Sequence, residues 1–177
     1  MDQSPVRFRR WPYFVWPIVP LIVFCIGWWW FCWGPATTVL LVRHADRDPG
    51  QDVLNPAGVD RAQELVHVLE RAGISTIYHS DAARTRLTAE PLAAALGLTP
   101  VEIPAADRAA LVSAIRAHPG ETVLVVGHSD TLPQIISELG GPTITVPGNE
   151  FDNLFVLTRC RWRGFRLVNL QYGAASP

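Results

Sequence analysis

The chain has 177 residues, with 15 basic and 16 acidic side chains, so its net charge is close to zero. This length corresponds to one domain, because most domains contain roughly 100–200 residues. All of the basic residues are arginines, and the absence of lysine excludes P-loop nucleotide hydrolases and enzymes that form a Schiff base on lysine.

The first predicted element is an apolar segment near the N-terminus. No charged side chain occurs between Arg10 and Arg43, and residues 11–33 are long enough to cross a hydrocarbon core, which takes about 20 residues in a helix. We interpret this segment as a transmembrane anchor rather than a cleaved signal peptide, because it is longer than a typical signal core and no Ala-x-Ala site follows it. Residues 1–36 would then be a basic tip and anchor, and residues 37–177 a separate domain.

The charges that flank the apolar segment predict its orientation. Arg7, Arg9 and Arg10 precede it, and no equivalent cluster follows it. Positively charged flanks remain in the cytoplasm, so we expect a cytoplasmic N-terminus and a domain on the outer, periplasmic side. The lipid bilayer is then a partner through residues 11–33, whereas no nucleic-acid partner is expected. The competing interpretation is a soluble cytosolic protein.

After the apolar segment, strand and helix patterns alternate in the way that produces a largely parallel sheet. The predicted strands are 38–42, 76–79, 101–103, 122–126, 153–158 and 165–171. The predicted helices are 56–72, 84–96, 108–117 and 132–139. The last two strands have no helix between them and are predicted to form a hairpin that closes the sheet.

Polar residues follow three of the predicted strands at the point where each strand ends. Arg43 and His44 come directly after the first strand, Arg84 opens the helix after the second, and His128 follows the strand that ends at residue 126. The carboxyl ends of parallel strands face one crevice, so we expect these four side chains to lie together. Two arginines and two histidines are suited to binding phosphate oxygens and attacking phosphorus.

The same residues carry a family resemblance. The segments that carry it are Leu41-Val42-Arg43-His44-Ala45, Ser80-Asp81-Ala82-Ala83-Arg84-Thr85 and Gly127-His128-Ser129. They resemble the motifs of the histidine phosphatase superfamily, the phosphoglycerate-mutase-like enzymes. The resemblance implies a three-layer α/β/α sandwich with a mostly parallel sheet. It also implies a phosphatase that hydrolyses phosphate monoesters through a phosphohistidine intermediate, without a metal or another cofactor.

The resemblance assigns roles to individual residues. His44 corresponds to the phosphorylated nucleophile, and Arg43, Arg84 and His128 correspond to residues that bind the phosphoryl group. A nucleophilic imidazole must be neutral, and we expect the two arginines to disfavour a positive charge on His44.

A general acid is also needed, to protonate the leaving oxygen. The resemblance places an acidic residue after the third strand, which corresponds best to Asp107. Asp130, two residues after His128, is the rival, and Asp46 is a third candidate. Ser129 and Asp130 are further predicted to bind the substrate, which is a phosphorylated small molecule or a phosphoprotein.

Other interpretations of these residues compete. The two histidines could bind a metal, but no further ligand lies at a suitable spacing. Residues 127–131 resemble a Gly-x-Ser-x-Gly elbow, with Thr131 in place of the last glycine, which would make Ser129 an esterase nucleophile. A phospholigand-binding sensor or scaffold with weak catalysis is the alternative from a different functional class. Specificity would be decided by the loops 46–54 and 143–152.

Overall fold

The computed structural model describes residues 18–32, 36–160 and 164–176. The chain divides into two compact units, Met1–Gly34 and Pro35–Pro177. The division lies close to the predicted domain boundary, and the second unit contains all of the predicted site residues.

In the first unit, helix α1 spans Ile18–Cys32. Among the described residues, no helix has the length and the apolar character that crossing a membrane requires. The described residues therefore do not support the predicted transmembrane helix. Residues 11–17 and Trp33, which belong to the predicted segment, lie outside the described part of the chain.

The second unit alternates strands and helices as predicted. Its strands are β1 (Thr37–Arg43), β2 (Ile74–His79), β3 (Val101–Glu102), β4 (Thr122–Gly127), β5 (Asn153–Cys160) and β6 (Gly164–Gln171). Its helices are α2 (Pro56–Leu69), α3 (Ala83–Leu96), α4 (Arg108–Arg116) and α5 (Thr131–Glu138).

The strands form one sheet in the order β3-β2-β4-β1-β5-β6. Strands β1 to β4 run parallel to one another, whereas β5 is antiparallel to β1 and pairs with β6 in a hairpin. The prediction of a mostly parallel sheet closed by a hairpin is therefore confirmed. The register pairs Arg43 with Gly127 and His79 with Val126, so β1, β2 and β4 end at the same edge of the sheet.

Helices cover both faces of the sheet. Successive residues of β1 point to opposite faces, so Val39 and Leu41 pack in one core with side chains of α4 and α5. Leu40 and Val42 pack in a second core with side chains of α2 and α3. The unit is therefore a three-layer α/β/α arrangement. Burial on both faces explains why β1 and β4 are continuous apolar runs in the sequence.

Local signals set the start of the helix that follows the first strand. Asn55 caps α2 by accepting a hydrogen bond from the N–H of Gly58 at 2.9 Å, and Pro56 occupies the first turn, where its missing N–H is harmless. Gly58 lies against the backbone of Asp46, where a Cβ would come within 2.1 Å of the carbonyl oxygen. Because glycine has no Cβ, α2 can pack closely against the segment that immediately follows His44.

Candidate active site

The predicted residues Arg43 and His44 lie at the carboxyl end of β1, which is an interior strand of the sheet. Both are buried, with 6% and 3% of their surface exposed. The backbone N–H of His44 donates to the carbonyl oxygen of Gly127 at 2.9 Å, which continues the pairing of β1 with β4 beyond the strand end. The two strands therefore deliver His44 and His128 to neighbouring positions.

The structure brings the four predicted residues together. The ring centroids of His44 and His128 are 5.5 Å apart in an edge-on arrangement. Arg84, in the first turn of α3, places its Nη2 at 3.4 Å from Nδ1 of His128. Together with Arg43, these residues line one open cleft of about 580 Å³.

The cleft is lined by charged side chains of both signs. Its arginines are Arg43, Arg47 and Arg84, and its carboxylates are Asp52, Asp81 and Asp130. Ser129, which was predicted together with Asp130 to contact the substrate, also lines it. A more apolar cavity of about 290 Å³ lies beside Thr37 at the opposite end of β1, and none of the predicted site residues lines it.

His44 is held in one tautomer. Its Nδ1 lies 2.8 Å from the carbonyl oxygen of Ala45. A carbonyl oxygen can only accept, so Nδ1 carries the proton and Nε2 of the neutral ring keeps its lone pair. Burial lowers the pKa of His44 to about 3, and the charges of Arg43 and Arg84 act in the same direction. The sequence predicted a neutral ring because of the arginines, whereas burial is the larger cause.

Arg43 is held from one side by the loop that precedes β5. Its Nη1 donates to the carbonyl oxygens of Gly148 at 2.8 Å and Glu150 at 2.9 Å. The guanidinium carbon lies 4.0 Å from the centroid of the Phe151 ring. The Nε of Arg43, in contrast, is buried and has no hydrogen-bond partner in the protein.

The guanidinium group of Arg84 is also held through its Nη1. Its Nη1 lies 2.5 Å from Oδ1 of Asp52, whereas its Nε is buried without a protein partner.

His128 contacts a second residue besides Arg84. Its Nε2 lies 2.9 Å from Oγ of Ser80. Burial is the main cause that lowers the pKa of His128, and the charge of Arg84 is the second. Both histidines of the cleft are therefore neutral at neutral pH.

The three candidates for the general acid occupy different places. Asp107 caps α4 by accepting a hydrogen bond from the N–H of Ala110 at 3.0 Å, and it does not line the cleft. Asp46 is buried in an ion pair with Arg61 at 2.6 Å. Of the three, only Asp130 lines the cleft. The structure therefore does not bring Asp107, the preferred candidate, to the other site residues, and helix capping accounts for its position.

The residues of the site to which the sequence-based reasoning assigned no role include Ser80, Asp52 and Phe151. Ser80 belongs to one of the family-like segments but had been given no role. Asp52 and Phe151 lie in the two loops that were predicted to decide specificity, and the ring of Phe151 is 5.7 Å from that of His44. No periodic pattern marks the residues of such loops, so nothing in the sequence indicated which side chains would reach the site.

The donor set of the cleft suits an anion. Within residues 18–32, 36–160 and 164–176, no group of three or more His, Cys, Asp or Glu side chains is arranged to hold a metal ion. Arginine N–H groups beside neutral histidines are instead suited to the oxygens of a phosphoryl group.

A comparison with protein families finds a match over part of the chain. Residues 39–108, which include Arg43, His44 and Arg84, match the histidine phosphatase superfamily, branch 1. No curated protein matches the chain.

Solved structures share the fold. The putative phosphohistidine phosphatase SixA from Agrobacterium tumefaciens is 26% identical, with a TM-score of 0.56 and coverage of 77% of this chain and 97% of that one. The putative alpha-ribazole-5'-P phosphatase from Escherichia coli is 16% identical, with a TM-score of 0.59 and coverage of 80% and 98%. Mycobacterial hydrolase 1 is also 16% identical, with a TM-score of 0.61 and coverage of 80% and 100%.

The sequence match over residues 39–108 and the shared fold together show that this chain is similar to members of the histidine phosphatase superfamily.

Proposed function

We propose that residues 37–177 form a phosphatase that hydrolyses phosphate monoesters through a phosphohistidine intermediate on His44. The observation that carries the proposal concerns Arg43 and Arg84. Both line the cleft beside the neutral His44, and each keeps a buried Nε–H without an acceptor. A buried donor without a partner is costly, and a phosphoryl oxygen in the cleft would satisfy it.

The geometry suggests how His44 would react. Its Nδ1 is occupied by the carbonyl oxygen of Ala45, which leaves Nε2 as the nucleophile. Nε2 attacks phosphorus, the N–P bond forms as the P–O bond breaks, and the electron pair of that bond leaves with the oxygen, which takes a proton. Water then gives a proton to a general base as its oxygen attacks phosphorus, and the electron pair of the N–P bond returns to Nε2. Arg43 and Arg84 stabilise the charge on the phosphoryl oxygens in both steps.

Asp130 is our proposed acid for the first step and base for the second. It lines the cleft at the start of α5. The other two carboxylates of the cleft are already engaged. Asp52 pairs with Arg84, and Asp81 accepts a hydrogen bond from a backbone N–H at 3.1 Å.

The proposed substrate is a phosphorylated small molecule or a phosphoprotein. The cleft is open and lined by polar side chains, which suits a phosphorylated group presented on a larger molecule. Among the structures that share the fold, one at 26% identity is described as a putative phosphohistidine phosphatase and one at 17% identity as a protein histidine phosphatase. A panel of sugar phosphates, lipid phosphates, phosphoserine peptides and phosphohistidine peptides would therefore define the substrate class.

A first prediction tests the nucleophile. The purified full-length chain should release phosphate from p-nitrophenyl phosphate in the presence of EDTA. His44→Ala should lower kcat/KM by at least about 10³-fold, because the covalent intermediate can no longer form. His67→Ala, a matched change of an exposed histidine on α2, should keep the wild-type rate.

The same assay separates the two functional classes. Turnover that survives His44→Ala would rule out the phosphohistidine mechanism, and activity that is lost in EDTA would rule out metal-independent hydrolysis. Tight binding of vanadate without any turnover would instead support the alternative function, that of a phospholigand-binding sensor or scaffold.

A second prediction separates the candidate acids. Asp130→Asn should lower kcat on alkyl phosphates by about 10²-fold, because their leaving oxygen needs a proton. Asp107→Ala should keep kcat but lower the free energy of unfolding by about 1 kcal/mol, because α4 loses its N-cap. Kinetics and urea unfolding of both variants measure the two effects. A loss of kcat in Asp107→Ala with unchanged kcat in Asp130→Asn would instead identify Asp107 as the general acid.

A third prediction concerns pH and stability. The pKa of His44 is about 3 in the folded protein and about 6.5 in an unfolded chain, so between these values unfolding takes up a proton. The free energy of unfolding should therefore fall as the pH drops below about 6.5. At about pH 4.5, His44 should account for a loss of about 2 kcal/mol relative to neutral pH.

Urea unfolding of the wild type and of His44→Gln at the two pH values measures this contribution. The variant should lose less stability on acidification, whereas His67→Gln should behave like the wild type. An identical loss in the wild type and in His44→Gln would contradict the buried, neutral histidine.

A fourth prediction concerns location. We propose that residues 11–33 anchor the chain in a bilayer, with the N-terminus in the cytoplasm, because three arginines precede the segment and none follows it closely. Alkaline phosphatase fused after Pro177 should then be active in bacterial cells, and the fusion should sediment with membranes. Green fluorescent protein fused at the same position fluoresces brightly only in the cytoplasm. Bright fluorescence would therefore overturn the proposed orientation.

A further inference from the structure

Asp52 connects three parts of the cleft. It lies in the exposed loop between β1 and α2. Its Oδ1 accepts a hydrogen bond from Nη1 of Arg84 at 2.5 Å, and its Oδ2 accepts one from the backbone N–H of Ala83 at 3.1 Å. Ala82, the N-cap residue of α3, makes no capping hydrogen bond with its side chain. The carboxylate therefore serves the helix end and the arginine at the same time.

The two arginines of the cleft are anchored in the same way. Backbone carbonyl oxygens of Gly148 and Glu150 hold Nη1 of Arg43, and Asp52 holds Nη1 of Arg84. In both cases Nε remains buried and without a protein partner. A guanidinium group is planar and rigid, so fixing Nη1 also fixes the edge formed by Nε and Nη2.

On Arg84, that edge is turned toward the reacting groups. Its Nη2 lies 3.4 Å from Nδ1 of His128, and the ring of His128 packs edge-on against the nucleophile His44. The guanidinium is partly exposed, with 24% of its side chain accessible, so it would move among several orientations without an external partner. Asp52 supplies that partner.

We propose that Asp52 is a positioning residue, which acts through Arg84 by holding the Nε and Nη2 edge of the guanidinium toward the substrate phosphoryl group. The proposal rests on the proposed phosphatase function of the cleft. The hydrogen bonds from Ala83 and Arg84 also lower the pKa of Asp52, so the carboxylate is ionised when it holds the arginine. Its repulsion of a bound phosphate is weakened by solvent, because 56% of its side chain is exposed.

A double-mutant cycle tests this role. Asp52→Ala should lower kcat/KM by about 10- to 100-fold and weaken the binding of inorganic phosphate about 10-fold, because the arginine is no longer aligned. In an Arg84→Ala background, the same change should alter either value by less than about 2-fold, because it has nothing left to position. Asp52→Asn, which keeps an oxygen acceptor, should recover part of the loss.

Asp48→Ala is the matched control. Asp48 lies in the same loop, where Nδ2 of Asn55 contacts its carboxylate at 3.3 Å, and it does not line the cleft. This variant should keep the wild-type kinetics. Additive losses in the double mutant would overturn the proposal, as would tighter phosphate binding in Asp52→Ala, which would mean that Asp52 competes with the substrate for Arg84.

A second readout does not require turnover. NMR of the Arg84 Nε–H group in the full-length protein reports its order directly, and Asp52→Ala should lower the order parameter whereas Asp48→Ala should not. An unchanged order parameter in Asp52→Ala would overturn the positioning role. If the wild type neither turns over nor binds phosphate, the proposed function fails, and the NMR measurement still decides whether Asp52 orders Arg84.

Discussion

The site depends on how the backbone at the end of β1 holds His44. The backbone N–H of His44 donates to Gly127, and its ring Nδ1 donates to the carbonyl oxygen of Ala45. These two hydrogen bonds fix the position and the tautomer of the ring, and burial keeps it neutral. The pairing of β1 with β4 makes this possible, because a slip of one residue would turn His44 to the opposite face of the sheet. The register of the parallel strands is therefore a chemical requirement as well as a structural one.

The charges around His44 are arranged before any ligand binds. Arg43 and Arg84 are each anchored through Nη1 by protein acceptors. Under the proposed function, their remaining N–H groups would meet a phosphoryl group without a large rearrangement. Donors that are already oriented stabilise developing charge better than donors that must reorganise. The same two cations disfavour protonation of His44. Under the proposed function, the same two cations would bind the phosphoryl group and would add to the effect of burial, which is the main cause of the neutral His44 ring.

The sequence predicted what depends on local pattern. The apolar run of β1 and the capping residue Asn55 were identified correctly, and the strand ends placed His44 and His128 together. Asp107 shows where this reasoning stops. An aspartate before a helix can be a cap or an acid, and only the three-dimensional structure shows that it bonds to Ala110 and stands apart from the cleft. The burial that keeps the His44 ring neutral likewise arises only in the assembled fold.

The start of α3 shows how such a long-range contact can still leave a trace in the sequence. Ala82 stands where a capping side chain is usual, so the first N–H groups of α3 need an acceptor from elsewhere in the chain. Asp52 supplies one of these acceptors and, with its second oxygen, contacts the side chain of Arg84 in the same turn. A helix start without a capping side chain is therefore a place where an acceptor from another segment can bind. Under the proposed positioning role, the contact that satisfies the helix end would also orient the arginine, so Asp52 would couple local stability to catalysis.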